Sequence, residues 1–468
     1  MAMLDSLRAA YDGKLLVDAD DVAPYLTDWR KMWTGAAIAV ALPESVDQVC
    51  ALVRWCGQNG VRLVPQGGNT GMSGGATPPA EGLNLVVALT RLNRIRAIDP
   101  VNNTMTVDAG VILASVQEAA RDAGRYFPLS LAAEGSCTIG GNLATNAGGT
   151  AVLRYGNARE LCLGLEVVTP AGEVWSGLKG LRKDNSGYDL RDLYIASEGT
   201  LGIITGAVLK LYPQPAARLA SLVAVADCGA AMGLLEVLRA RYADRLTAFE
   251  LLSRECLELV LRHGHDARDP FGERYPWYIL IEFTDFTSEE AARAAIEEAL
   301  GQAFEDGLVL DAVIAESLTQ TQALWALREG ISEAQSAEGA TIKHDIALPI
   351  SAIAAFIPAA VEAVRARHPD IRPVLFGHLG DGSLHFNYSP APGEDKASFM
   401  ARQAEVNRIV HDLVMAAGGT ISAEHGLGVL RRDEADAYRP TPERQLMRSI
   451  KQALDPQGIM NPGKLLAL

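Results

Sequence analysis

The chain has 468 residues and a formal charge of −15, with 57 Asp and Glu against 42 Lys and Arg. That length exceeds what one hydrophobic core supports, so two or three domains are expected. A composition 49% hydrophobic and only 6% aromatic suits a soluble globular protein and argues against a base-stacking nucleic-acid surface. The acidic balance also argues against anionic membranes, and it obliges any acid-binding site to carry its own cations or metal. Six cysteines without a Cys-x-x-Cys pair argue against a thiolate zinc site and suit a reducing, cytoplasmic compartment. No run of eighteen apolar residues offers a membrane span, and residues 1–11 read as an amphipathic helix lacking the apolar centre of a signal peptide.

In chain order, Ser45 and Gly60 bracket a periodic stretch and predict a helix over 46–58. A strand over 61–64 then enters a loop with five glycines between 67 and 75. Strands are expected over 83–89, 95–99 and 104–108, and a helix over 112–123. A second glycine-rich region runs over 135–149, followed by a hairpin over 163–176 and a strand over 203–212. Pro213 and Pro215 mark a domain boundary. Beyond 216, helices over 230–242, 288–303, 319–337, 352–367 and 397–417 alternate with strands over 278–283, 308–316, 341–348 and 373–376. A helix over 443–454 ends the chain. This is an α+β pattern. It divides into a first domain over 1–215, a second over 216–418, and a C-terminal segment over 419–468 that returns to the first domain and completes its site.

The two glycine-rich stretches carry the first chemistry. Pro65, Gln66, Gly67, Gly68, Asn69, Thr70, Gly71, Met72 and Ser73 expose successive backbone amides that can wrap a pyrophosphate without a cation. The spacing is not Gly-x-Gly-x-x-Gly, and no helix pattern follows. Gly135, Ser136, Thr138, Gly140, Gly141, Asn142, Thr145 and Asn146 add uncharged donors suited to a large polar ligand. Each stretch alone could be an ordinary loop of a β-rich domain.

The second chemistry lies in 377–387. Asp381-Gly382 signals a two-residue hairpin turn. Pairing symmetric about it sets His378 opposite His385, close enough to share one metal, with Asn387 on the same face. Leu379 and Leu384 then point away. Two core histidines on a plain hairpin remain an alternative. Glu424-His425 offers a third ligand. Arg328 and Ser332, four apart, share a helix face, and Arg can grip a carboxylate through two parallel bonds. A surface ion pair is the other reading of Arg328. Lys343 supplies a second cation. His344 reads as structural.

With these motifs in place, nearly the whole chain resembles the FAD-linked oxidase family, whose FAD domain is of the vanillyl-alcohol oxidase / p-cresol methylhydroxylase type. Within that family it is similar to the enzymes that oxidise D-2-hydroxy acids. The resemblance implies that loop 65–75 cradles the FAD pyrophosphate and that 135–146 forms a second FAD segment. It places Glu198, Gly199, Ile203 and Ile204 in a third, with Asn461 also at the cofactor. Neither glycine-rich region contains His, so FAD is expected to be noncovalent. The resemblance further implies His378, His385 and Glu424 as ligands of a divalent metal, zinc first and manganese or iron next, with His425 as acid/base. It implies Arg328, Ser332, Lys343 and Asn387 as carboxylate-binding residues, where Ser332 stands for the family's usual Thr. A second cation at Lys343 favours a dicarboxylic substrate, D-2-hydroxyglutarate above D-lactate or glycolate. The electron acceptor is expected to be a soluble electron-transfer protein or a quinone, and the assembly a homodimer. A flavin-free zinc hydrolase and a non-catalytic flavin module are the rival classes.

Overall fold

A computed structural model describes residues 2–467. Two compact units emerge. One comprises Met1–Gly148, Gly156–Gln214 and Glu424–Leu468; the other comprises Gly149–Tyr155 and Pro215–Ala423. Residues 149–155 thus count with the second unit, a short exchange that chain order does not announce. Of the helix expected over 1–11, Ala2–Ala10 is helical, and Met1 lies outside the described residues. Among the described residues, no helix is long and apolar enough to cross a membrane.

The first unit holds two main sheets. In one, Ala39–Leu42, Asn84–Ala88 and Arg62–Gln66 run parallel, with Lys14–Leu16 added antiparallel at an edge. The helix Val46–Asn59 packs on it. Ser45 Oγ accepts from the Gln48 amide at its start, and Gly60, at φ 63°, ends it. Trp55, Val53, Leu63 and Val87 close that core. The second sheet is antiparallel, in the order Ile95–Asp99, Thr104–Asp108, Ile203–Lys210, Cys162–Val168, Val174–Ser176. The tail is stitched in by its backbone. Leu63 N–H donates to Ile459 O at 2.8 Å, and Asn461 N–H donates to Leu63 O at 2.8 Å. Buried Lys451 reinforces the join through Nζ, which reaches Asp455 Oδ2, Thr200 O and Met460 O at 2.5, 2.7 and 3.0 Å.

The second unit is one seven-stranded antiparallel sheet with helices on both faces. Its order is Asp311–Ile314, Ala217–Val225, Trp277–Asp285, Leu246–Ser253, Arg372–Gly377, Ser383–Ser389, Asp345–Ala347. Phe249, Leu251, Ile279 and Ile281 point to one core, which includes buried residues of the helices Cys228–Tyr242, Glu289–Glu305 and Ile353–Arg367. Leu252, Tyr278 and Leu280 point to the other, with residues of Arg254–His263 and Leu318–Glu329. Both faces being apolar, these strands lack the polar–apolar alternation that marks a half-buried strand.

Two expected helices are divided. The stretch expected over 319–337 is Leu318–Glu329 and Ile331–Glu338, separated at Gly330. The one over 397–417 is Lys396–Met400 and Gln403–Ala416. The second glycine-rich region is not all loop. Ile139–Ala144 is helical, and Thr138 Oγ1 caps it by accepting from Gly141 N–H.

Candidate active site

In the first unit, the glycine-rich stretches line one open cleft. Its walls include Pro65, Gln66, Gly67, Gly68, Asn69, Thr70, Gly71 and Ser73, then Thr138, Gly140, Gly141, Asn142 and Thr145, then Glu198, Gly199, Ile203 and Ile204, with Asn461 and His425. Met72, Gly135, Ser136 and Asn146 do not line it. Asn146 instead accepts from the Arg159 amide at 3.0 Å, a local structural bond. Ser136 contributes its carbonyl, against which Gly68 is packed: a Cβ on Gly68 would lie 1.9 Å from Ser136 O. Ala76, Leu89, Ala109, Cys137, Ala144 and Gly202 also line the cleft. They are small or apolar; Cys137 and Ala144 lie within the second glycine-rich region, and the others were not singled out.

At Gly71, which lines the cleft, a Cβ would meet nothing within 4 Å and would occupy cleft space, whereas other lining glycines are packed against protein. An added Cβ at Gly67 would meet Thr138 Oγ1 at 2.2 Å, and one at Gly140 would meet Ala109 Cβ at 2.7 Å. Glycine therefore lets three chain segments pack closely on one another around the cleft, and their exposed amides suit a pyrophosphate. These residues fit FAD.

Glu198 organises the cleft's far wall. It has a left-handed φ of 51° and is buried. Its carboxylate accepts from Leu427 N–H at 2.8 Å and Gly428 N–H at 2.9 Å. Burial pushes this carboxyl up, while those two amides and the charge of Lys464 oppose the rise. Asn461 Nδ2 donates to Gly75 O and Glu198 O at 3.0 and 2.6 Å. Ser73 O accepts from Val429 N–H at 2.8 Å. These bonds fix segment 424–430 beside the glycine-rich loop, and so bring His425 to the cleft wall. Glu424 Oε1 lies 3.7 Å from His425 Nε2.

In the second unit, His378 and His385 come together, with ring centroids 5.7 Å apart. The register differs from the expected one. His385 faces Phe376 rather than His378, two residues earlier. His378 sits in a connection over 378–382, where its carbonyl accepts from the amides of Asp381, Gly382 and Ser383. The physical reason is the turn. A type I′ turn needs positive φ at both central residues, but of Asp381 and Gly382 only Gly382, at 94°, has it. A slip of two residues preserves the alternation, so His385 and Asn387 keep a common face.

Glu250, which sequence reasoning missed, holds this region together. It lies on Leu246–Ser253, the strand beside Arg372–Gly377. His378 Nδ1 donates to Glu250 Oε1 at 2.8 Å, and Arg328 Nε donates to Glu250 Oε2 at 2.9 Å. Burial pushes the Glu250 carboxyl up, but His378 and Arg328 outweigh it and hold the carboxyl below its usual range. The Arg328 guanidinium also lies over the Phe376 ring, 4.9 Å from its centroid, and that ring is 4.7 Å from that of His385. A lone Glu in the apolar run 246–253 was the available signal, since an unpaired carboxylate does not survive there.

The remaining residues separate. Arg328 is buried in an ion pair rather than at the surface, whereas Ser332 is exposed on the next helix. Lys343 is half-buried. The Asn387 side chain is engaged at both ends: Oδ1 accepts from His344 N–H and Nδ2 donates to Gln335 Oε1, each at 3.1 Å. Asp345 pairs across the sheet with His385 and points to the same face.

Residues 37–177 match the FAD binding domain family, and residues 214–465 match the FAD linked oxidases, C-terminal domain. The chain belongs to the FAD-linked oxidase family. Among its relatives, a D-2-hydroxyglutarate dehydrogenase of Xanthomonas citri pv. viticola is 42% identical, over 97% of this chain and 94% of the relative. The mitochondrial D-2-hydroxyglutarate dehydrogenase of Arabidopsis thaliana is 39% identical, over 99% of this chain and 82% of the relative. Substrate-bound p-cresol methylhydroxylase shares the fold, with a TM-score of 0.78 at 17% identity over 99% of this chain and 96% of that one. The match to the FAD binding domain thus falls, apart from 149–155, within the unit whose glycines form the cradle.

Proposed function

We propose that the chain oxidises D-2-hydroxyglutarate to 2-oxoglutarate, using noncovalently held FAD and a divalent metal, zinc foremost. One observation carries the reading: a buried guanidinium and His378 are joined through a single carboxylate in the second unit, with the His385 ring beside that of His378. The names of the full-length relatives support the substrate.

His378, His385 and Glu424 are the proposed ligands. The donor set suits zinc, and the carboxylate on His378 Nδ1 is the usual companion of a ligating imidazole, leaving Nε2 as the ligating nitrogen. When bound, FAD supplies the hydride acceptor, and the metal supplies positive charge for the C1 carboxylate and C2 hydroxyl. The chain's own residues do the rest. His425 takes the hydroxyl proton as general base. Arg328 and Lys343 bind carboxylate oxygens, so a three-carbon tail ending in a second carboxylate is held where a methyl would not be. Ser332 and Asn387 complete that pocket in this reading, Asn387 through the donor capacity its bond to Gln335 leaves. Electrons then pass to a soluble electron-transfer protein or a quinone. Six buried free cysteines accord with a reducing, cytoplasmic setting for the proposed homodimer.

The test is anaerobic mixing of the FAD-loaded protein with D-2-hydroxyglutarate, D-lactate, D-malate and glycolate. The flavin is expected to bleach fastest with D-2-hydroxyglutarate, and faster bleaching by D-lactate or glycolate would overturn the dicarboxylate reading. Acid precipitation is expected to release all of the flavin into the supernatant.

A further inference from the structure

Glu250 lies in the middle of a strand whose neighbours are apolar, and its side chain is 1% exposed. A carboxylate in that position is costly unless it is paired and hydrogen-bonded. It is paired twice, by one oxygen each: Oε1 with His378 Nδ1 at 2.8 Å and Oε2 with Arg328 Nε at 2.9 Å. The first bond fixes the His378 tautomer with its proton on Nδ1. The second uses one of the five N–H groups of Arg328 and sets the plane of its guanidinium, which the Phe376 ring supports from one side. The proposed metal ligand and the proposed carboxylate clamp are therefore oriented by the same three-atom group.

Resting on the function proposed above, we infer that Glu250 is a positioning residue that couples the two halves of the substrate site, so that metal affinity and dicarboxylate affinity depend on it together. Both of its partners donate. A neutral amide at 250 accepts from only one of them at a time, turns an N–H toward the other and carries no charge, so Glu250→Gln loosens His378 and Arg328 alike. Shape and volume are nearly unchanged, which separates this effect from loss of packing.

The experiment compares the FAD-loaded parent, Glu250→Gln, Glu250→Asp and His378→Ala. Zinc affinity is measured by competition with a chromophoric chelator. Binding of 2-oxoglutarate is measured by titration calorimetry with zinc present and after chelation. FAD content and melting temperature report folding. Glu250→Gln is expected to lower zinc affinity about 10- to 100-fold, and to weaken 2-oxoglutarate binding about tenfold even in chelated protein. Glu250→Asp, which keeps the charge, is expected to recover part of both. If Glu250→Gln binds zinc and 2-oxoglutarate as the parent does, or loses one and keeps the other, the coupling is wrong. Should Glu250→Gln not accumulate as FAD-loaded protein, Glu250→Asp decides: a parental value for either ligand overturns the inference. Parental zinc affinity in His378→Ala would instead overturn the metal reading itself, and the role of Glu250 with it.

Discussion

Under the proposed function, the two units hold a polar ligand in opposite ways. The cleft of the first is made of backbone: glycines bring three segments so close that a Cβ at Gly67 or Gly68 would lie 2.2 or 1.9 Å from its neighbours. The ionised groups near it, Glu198, Lys451 and Lys464, mainly bind main-chain atoms and tie the C-terminal segment in place. The second unit instead clusters its charges, with Glu250 between Arg328 and His378. A backbone cradle reads ligand shape and is damaged by an added methyl; a charge cluster reads ligand charge and is damaged by a neutral isostere. The difference is testable at single residues.

The largest effect is expected where the first unit does carry a reactive side chain. His425→Ala removes the imidazole from the cleft wall. The rate of anaerobic flavin reduction is expected to fall about 10²- to 10⁴-fold, the range for a general base. Because the cradle is backbone, FAD content should stay at the parental value. Stopped-flow absorbance gives the rate, and a parental rate would remove His425 from the chemistry.

Arg328→Met comes next. It leaves Glu250 buried with His378 as its one remaining ionic partner, and breaking such a pair costs about 3 kcal/mol or more. Thermal melting of the FAD-free protein is expected to show the loss. A parental melting temperature would mean that the cluster is as tolerant of charge loss as a surface pair.

The contrast also explains what the sequence made legible. The helix between Ser45 and Gly60 and the hairpin of Cys162–Val168 with Val174–Ser176 were readable, because caps, turns and alternation are local signals. Strands Ala217–Val225 and Leu246–Ser253 were not, since both of their faces are apolar and the alternation vanishes. The approach of His378 to His385 was anticipated through a turn the chain does not form; a slip of two residues changed the partner and left the face. Gly330 divides the helix on which Arg328 and Ser332 were expected to share a face, and the two residues end with opposite exposures. Glu250 escaped notice because its partners are 78 and 128 positions away, and no local pattern spans that distance.

A smaller effect follows from pH. Burial, with Arg432 adding and Glu198 opposing, lowers Lys464 to about 8, and its Nζ donates to Thr77 O at 2.7 Å. Unfolded, the same amine keeps its proton to about 10.4. Between these values the unfolded chain binds more protons, so this residue makes stability rise with pH from about 8 to about 10.4. Below about 8 the full cost of a buried ammonium is present. The gain is about 1–3 kcal/mol, and it is read as the difference in melting temperature between the parent and Lys464→Met across pH 7–10. Equal slopes in the two proteins would show that burial does not perturb the amine.

The smallest effect sharpens the comparison most. Gly71 lines the cleft, and a Cβ built there meets nothing within 4 Å, unlike Gly67 and Gly68. Its φ is not left-handed, so alanine adopts the backbone without strain. Gly71→Ala should therefore leave the stability of the FAD-free protein unchanged, while its methyl occupies space the cofactor needs. FAD affinity is expected to fall about tenfold, or 1.4 kcal/mol, measured by fluorescence titration of apoprotein. Gly68→Ala, by contrast, collides with Ser136 O and should lower the stability of the apoprotein as well. If both substitutions behave alike, the glycines serve only the loop's own fold; if they separate as described, Gly71 is there for the ligand and Gly68 for the loop.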